Sequence, residues 1–287
     1  MKNNVLYRLL FTKPCQLRAF YDLSKKYKFN IDRIYLDFDM LSQNAPELMA
    51  ICGKLSKNMP ELSWFLSLPA VLRQEDMLYL KSIKLFLSEN PMFQGILCGN
   101  LEGIGFFMEN PEQITILADH NFYLWNQESV SAWNGKIKGG CLPLELNSGE
   151  QRELIKAENG FSWDKILYGY LPMMFTANCV AKTSERCRKG NSDVSNDVIM
   201  LRDRTGTDFP VLLNCKHCFN TIFNSVPLFL RVPPEKWQDN VAFRLQFTIE
   251  EEAMTREILT YFLTSSDPNA PIPIKAYTTG HEKRGVT

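Results

Sequence analysis

The sequence predicts an α/β chain folded as a (β/α) TIM-like barrel, whole or incomplete, with a cysteine-bearing insertion and a β-hairpin over its C-terminal face. Three observations lead there. Short, nearly continuous apolar runs alternate with helix-like segments, the pattern of parallel strands covered on both faces. Seven such units precede residue 176, which favours a barrel over a doubly wound sheet. There is no G-x-G-x-x-G or Walker loop to pull the other way; the nearest run, GNLEGIG at 99–105, has the wrong glycine spacing and reads as a turn into a helix.

The strand runs, in order, are VLYRLLF (5–11), RIYLDF (33–38), LSWFLSL (62–68), QGILCG (94–99), QITILAD (113–119), GGCLPLE (139–145) and ILYGYLPMMF (166–175). Between them, QLRAFYDLSKKYKF sets Leu17, Phe20, Tyr21 and Leu23 near helical spacing. QEDMLYLKSIKLFL places Met77, Leu80, Lys81 and Lys84 on neighbouring helical turns. SGEQRELIKAE opens with Ser148 as a cap and Glu150 in the first turn. After residue 176 the pattern changes to the polar, irregular TANCVAKTSERCRKGNSDVSND. VIMLRDRTGTDFPVLLN then reads as two strands around a Thr-Gly turn. SVPLFLRVP follows, then a strand VAFRLQFTI (241–249), and a helix begun by Thr248 with Glu251 as a capping box. The tail is Pro-rich and extended. The expected organisation is 1–176 barrel portion, 177–240 cysteine-rich insertion, and 241–287 closing strand, helix and tail.

With 45% hydrophobic and 22% charged residues, the 287-residue chain can bury a large core and is not a disordered polymer. The 32 basic and 32 acidic residues cancel, so a polyelectrolyte partner would have to be met by a local patch. No apolar run approaches the roughly 20 residues that span a bilayer, and the N-terminus lacks a secretory pattern. The expectation is a cytoplasmic protein, without a membrane partner, whose thiols stay reduced.

Parallel strands aim their C-terminal ends at the functional face. The residues following them are Asp37 and Asp39, Pro69 and Arg73, Asn100, Asp119-His120-Asn121, Glu145 with Asn147, and Thr176, Asn178 and Cys179. His120 and Asn121 are expected on the substrate side. The eight cysteines divide into two groups. Cys15, Cys52, Cys98 and Cys141 lie in or beside apolar segments, where a thiol behaves as a small hydrophobe. Cys179, Cys187, Cys215 and Cys218 fall in a 40-residue, loop-rich window, the last two as C-x-x-C. That spacing admits a metal or iron–sulfur site, a dithiol redox pair, or inert thiols, and does not choose between zinc and a cluster. His217 reads as a bystander, because four thiolates already complete four-coordination. Lys182, Arg186, Arg188, Lys189, Arg202 and Arg204 form a basic stretch near these cysteines, a phosphate-binding patch or a solvated loop.

The segments YGYLPMMFTANCVAKTSERC, LRDRTGTDFPV, NCKHCFNTIFNSVPLFL and the final YTTGHEKRGV together resemble peptidase family U32, the collagenase-like peptidases. ILADHNFYLWNQESV and CLPLELN fit the same family, so the likeness runs from about residue 93 to 287; residues 1–92 fit by rhythm alone. The chain resembles the second half of the long bacterial members. The resemblance implies a barrel-type module with a cysteine-bound four-iron, four-sulfur cluster held by Cys179, Cys187, Cys215 and Cys218. It further implies oxygen-independent hydroxylation of an RNA pyrimidine, in transfer or ribosomal RNA, with prephenate as oxygen source, or of a ubiquinone precursor. Glu145, Asn147 and His281 fall on the family's rim positions and are the expected catalytic residues; Arg202, Arg204 and Arg284 are the expected substrate contacts. The family's tail usually has Arg where Thr279 stands and an aromatic where Glu282 stands. A partner chain or a missing N-terminal half is expected to supply the rest of the long form.

Two other functions remain. A U32-type peptidase would need a nucleophile with a base or a hydrolytic metal with an open position. The sequence has neither HExxH nor GxSxG, and only three histidines, His120, His217 and His281. A non-catalytic module, built on structural zinc and docking a catalytic partner, is the third reading.

Overall fold

The structure is a computed structural model that describes residues 5–109, 114–156, 160–183, 187, 197–231, 237, 240–264 and 270–285. The chain begins with β1 (Tyr7–Phe11), α1 (Pro14–Ser24), β2 (Ile31–Asp37), α2 (Phe38–Gln43) and α3 (Ala45–Asn58). It continues through β3 (Ser63–Ser67), α4 (Met77–Glu89), β4 (Phe93–Cys98), α5 (Leu101–Met108), β5 (Thr115–Ala118) and α6 (Gln127–Trp133). β6 (Gly139–Cys141), α7 (Ser148–Ile155) and β7 (Ser162–Gly169) follow. Then come β8 (Pro172–Thr176), α8 (Val180–Thr183), β9 (Val198–Arg202), β10 (Asp208–Asn214), β11 (Phe219–Phe223) and β12 (Leu228–Phe229). β13 (Val241–Phe247) and α9 (Glu252–Thr264) complete the described elements.

β1 to β7 pair in sequence order, all parallel, and the ring is completed by β13, which lies parallel between β7 and β1. The result is a closed barrel of eight parallel strands, and the expected TIM-like fold is complete. Closure follows from burial: β1, β3 and β13 present nearly unbroken buried runs, because helices cover one face and the lumen the other. The expected strand at 166–175 is two strands. β7 ends at Gly169, where a Cβ would meet the Gln246 carbonyl oxygen at 2.8 Å, and Pro172 opens β8 in another sheet. That second sheet is antiparallel, in the order β8-β11-β10-β9, and its β9–β10 hairpin is the one expected from the Thr-Gly turn.

Two helix starts differ from expectation. α7 is capped by Asn147 and not by Ser148: the Asn147 side chain accepts from the Gly149 and Glu150 N–H groups. α9 begins at Glu252 instead of Thr248, because Glu250 turns its carboxylate onto the Thr248 N–H (2.6 Å) and stops the capping box from forming. GNLEGIG does lead into a helix, α5, with Asn100 accepting from the Gly103 N–H.

The lumen carries charge. Arg8 donates to Asp164 (2.6 Å) and through two bonds of 2.9 Å to Asp32. Arg244, with no solvent exposure, reaches Asp119 (2.5 Å), Asp164 (3.4 Å) and Gln246 (3.1 Å), while the Tyr35 hydroxyl donates to Asp164 at 2.7 Å. Burial would raise the Asp119 and Asp164 carboxyls, but the two guanidiniums outweigh it and hold both below the ordinary carboxylate range. Leu10, Tyr35, Phe65, Leu97 and Leu117 form a buried apolar cluster beside this network.

Arg244→Ala leaves two buried carboxylates short of a cation and is expected to cost about 3–5 kcal/mol in urea unfolding. Because the folded carboxyl pKa values are depressed, their stabilisation is complete above the unfolded value of about 4 and is lost as pH falls below it. Wild-type stability should therefore drop in that acid range and the Arg244→Ala protein should drop less, measured by urea midpoints from neutral pH downward.

Candidate functional site

Three cavities lie where the barrel mouth, the four-stranded sheet and the tail meet. The first, of 290 Å³, is lined by all four of Cys179, Cys187, Cys215 and Cys218. Local structure explains their approach. β10 and β11 are joined by a turn in which the Cys218 N–H returns to the Cys215 carbonyl (3.4 Å), with Cys218 in the left-handed region at φ +52°. α8 follows directly on Cys179. Arg73, from the loop after β3, reaches across and donates to the Cys218 carbonyl at 3.2 Å, and Lys182 lines the same space. All eight cysteines are free thiols. Among the described residues no three His, Cys, Asp or Glu side chains close around a single ion position.

His217 is fixed away from that cavity. Its ring nitrogens bond Asp76 (Nδ1, 2.8 Å) and Asp39 (Nε2, 2.9 Å), and the edge of Tyr79 packs on it at 4.7 Å. Lys216 also reaches Asp39, at 2.5 Å. Burial alone would lower the His217 pKa, but the two carboxylates raise it above the ordinary value. The bystander reading of His217 misses this role: it is a clamp that binds the C-x-x-C turn to the barrel rim.

The second cavity, of 130 Å³, is the barrel mouth roofed by the second sheet. It contains the expected His120 and Asn121 together with Asp37, Asp39 and Asp119. Asp119 accepts from the His120 ring (Nδ1, 3.1 Å) and from Arg244 below. Asn121 lies so tightly over the end of β4 that a Cβ on Gly99 would fall 1.7 Å from its oxygen.

The third cavity, of 430 Å³, brings Glu145 and His281 together. The tail reaches it because Thr278 exchanges backbone bonds with the β12 region: the Phe229 N–H donates to Thr278 and the Thr278 N–H to Pro227, both at 2.9 Å. Glu282 then pairs with the buried Lys165 at 2.7 Å, which also donates to Gln151 at 2.7 Å. Burial lowers the Lys165 pKa, and the Glu282 carboxylate opposes the shift. Glu282 is thus the anchor of the tail here. Glu145 Oε2 is buried with no partner among the described residues. Asn147 stands beside this cavity as the α7 cap, with its side chain committed there.

The remaining expected contacts lie apart. Arg202 is exposed and held by Asp208 within the β9–β10 hairpin through two bonds of 2.7 Å; Arg204 is exposed at the hairpin turn. Arg284 is exposed in the tail, its N–H on the His281 carbonyl. Of the basic stretch, Arg186, Arg188 and Lys189 lie outside the described residues. Reading by sequence passed over Lys165, Asp76, Arg244 and Asp164. For three of them a signal existed: a charge in the middle of an apolar strand, as in SWDKILYG and VAFRLQF, needs a buried partner.

No protein-family profile and no curated protein matches the chain. Solved structures similar to it include the U32 peptidase Mk0906, at 9% identity and a TM-score of 0.48, covering 86% of this chain and 94% of that one. They also include two chitinases from Cycas revoluta bound to (GlcNAc)3. A class V chitinase mutant shares 8% identity at a TM-score of 0.39, covering 85% of this chain and 94% of that one. A GH18 chitinase shares 8% identity at a TM-score of 0.41, covering 88% and 98%. No residue role passes to this chain from any of them. Among the described residues no helix is long and apolar enough to cross a membrane.

Proposed function

We propose that this chain is an iron–sulfur protein of the U32 kind, using a cluster held by Cys179, Cys187, Cys215 and Cys218 in oxygen-independent hydroxylation. The observation that carries the reading is that all four cysteines line one cavity. Arg73 and Lys182 beside the thiols offset the negative charge that four thiolates bring. Such a cluster supplies single electrons to chemistry at its edge. The chain's own residues hold it, and the His217 clamp fixes two of its ligands relative to the barrel mouth.

The RNA pyrimidine and prephenate belong to this proposal through the U32 resemblance. Lys182 is the described member of the basic stretch at the cysteine cavity. Glu145 and His281 face the same 430 Å³ space, where an unpaired carboxylate oxygen and an imidazole could orient a polar substrate.

Anaerobic reconstitution with iron and sulfide is expected to give the broad visible absorption of a cluster, with iron and sulfide in equal amounts. Cys215→Ser should lose it; zinc uptake with no sulfide-dependent colour would overturn the reading. In the reconstituted protein, chelation followed by limited proteolysis should open the segment between β8 and β11 before the barrel, because much of its sequence is polar and irregular and would depend on the bound cluster for order. First cuts within the strand–helix repeats before residue 170 would count against that order. His281→Ala is expected to keep the cluster absorbance and lose at least tenfold in turnover of a modified RNA substrate, read by nucleoside mass spectrometry.

A further inference from the structure

The barrel-mouth cavity is separate from the thiols and from the tail. It is walled by ends of six of the eight barrel strands and roofed by Phe175, Phe219 and Phe223. Two of the residues that line it carry a buried polar atom with no partner among the described residues: His120 (Nε2) and Thr248 (Oγ1), the latter residue only 7% exposed. Unpaired buried polar atoms cost about 1–3 kcal/mol each and are rare unless something else satisfies them.

The charges of the chamber are mostly balanced from within. Asp39 is taken by His217 and Lys216, and Asp119 by Arg244 and His120. Asp37 accepts the Met40 N–H (2.8 Å) and forms no ion pair with a described residue. Burial, and after it the Asp39 carboxylate, push Asp37 up to about 7, against the pull of His217 and two backbone N–H groups. Near neutrality its carboxyl therefore carries a proton part of the time and can donate. Asp119, held ionised, accepts from His120 Nδ1, which leaves Nε2 as an acceptor.

We infer that this chamber binds a small uncharged hydroxycarbonyl compound, or the hydroxycarbonyl end of a larger molecule. Asp37 donates to its carbonyl oxygen, His120 Nε2 accepts from its hydroxyl, and Thr248 and Asn121 complete the set. At 130 Å³ the chamber is well below the usual size of about 300–1,000 Å³ for ligand sites, so only a small group enters. An anion meets the carboxyl groups of Asp37, Asp39 and Asp119, and for a cation the Asp39 and Asp119 carboxylates are already taken by His217, Lys216 and Arg244.

The test is saturation-transfer NMR with dihydroxyacetone, glycerate and ethanolamine as probes, on the full chain. Dihydroxyacetone should give a saturable signal and the two charged probes should bind at least fivefold more weakly. Thr248→Val should weaken dihydroxyacetone about fivefold while its thermal midpoint holds or rises, since an unpaired hydroxyl is removed. Asn121→Ala should weaken it similarly. Asp37→Asn, which keeps both a donor and the cap on α2, should stay within about twofold. The inference is overturned if dihydroxyacetone gives no saturable signal, if Thr248→Val and Asn121→Ala bind it as well as wild type, or if a charged probe binds as tightly. Loss of binding in Asp37→Asn as severe as in Thr248→Val overturns the donor role.

Discussion

The arginine–aspartate network in the barrel lumen is the constraint on which the rest of this structure depends. Arg244 on β13 and Asp164 on β7 come from strands separated by the whole second sheet, yet the ring closes only where these strands meet. Arg8 and Tyr35 tie Asp164 to β1 and β2, and Asp119 ties Arg244 to the far wall. Buried charges are a poor source of net stability, because desolvation consumes most of the Coulombic gain. What they supply here is register: an apolar strand shifted along its neighbour loses little contact, whereas a shifted Arg244 loses every carboxylate it needs.

The upper face inherits its order from that network. Arg244 holds the Asp119 carboxylate ionised, and that carboxylate orients the His120 ring at the end of β5. On the other side of the mouth, Asp39 and Asp76 grip His217 and so fix the turn that bears Cys215 and Cys218. The two cavities share Asn214 and Phe219 as a common wall. A change at the barrel mouth therefore has a short physical route to the thiols, through Asp39 and the turn it holds.

The tail shows the same logic with one residue. The Glu282 carboxylate meets the buried Lys165 ammonium and opposes the downward shift that burial gives the lysine. The Ser148 N–H and hydroxyl both donate to the Glu282 carbonyl, so the tail stands against the start of α7. His281 arrives beside Glu145 as a consequence of that anchoring.

Local pattern by itself determined the repeating strands and helices, the barrel class, the β9–β10 hairpin and the burial of Cys52, Cys98 and Cys141, while Cys15, expected with them, is only half-buried. These depend on apolar periodicity and turn chemistry, which neighbours in sequence carry between them. The break at Gly169 and the shifted starts of α7 and α9 were hidden, because each turns on a contact or cap that competes with an equally plausible local one. His217 looked idle for the same reason: its partners Asp39 and Asp76 lie 178 and 141 residues away. Only the tertiary structure could bring those carboxylates to one imidazole, join Glu145 to His281, and gather four thiols around one cavity. Pairings across such distances are set by barrel closure, a property of the whole ring of strands and of no single segment.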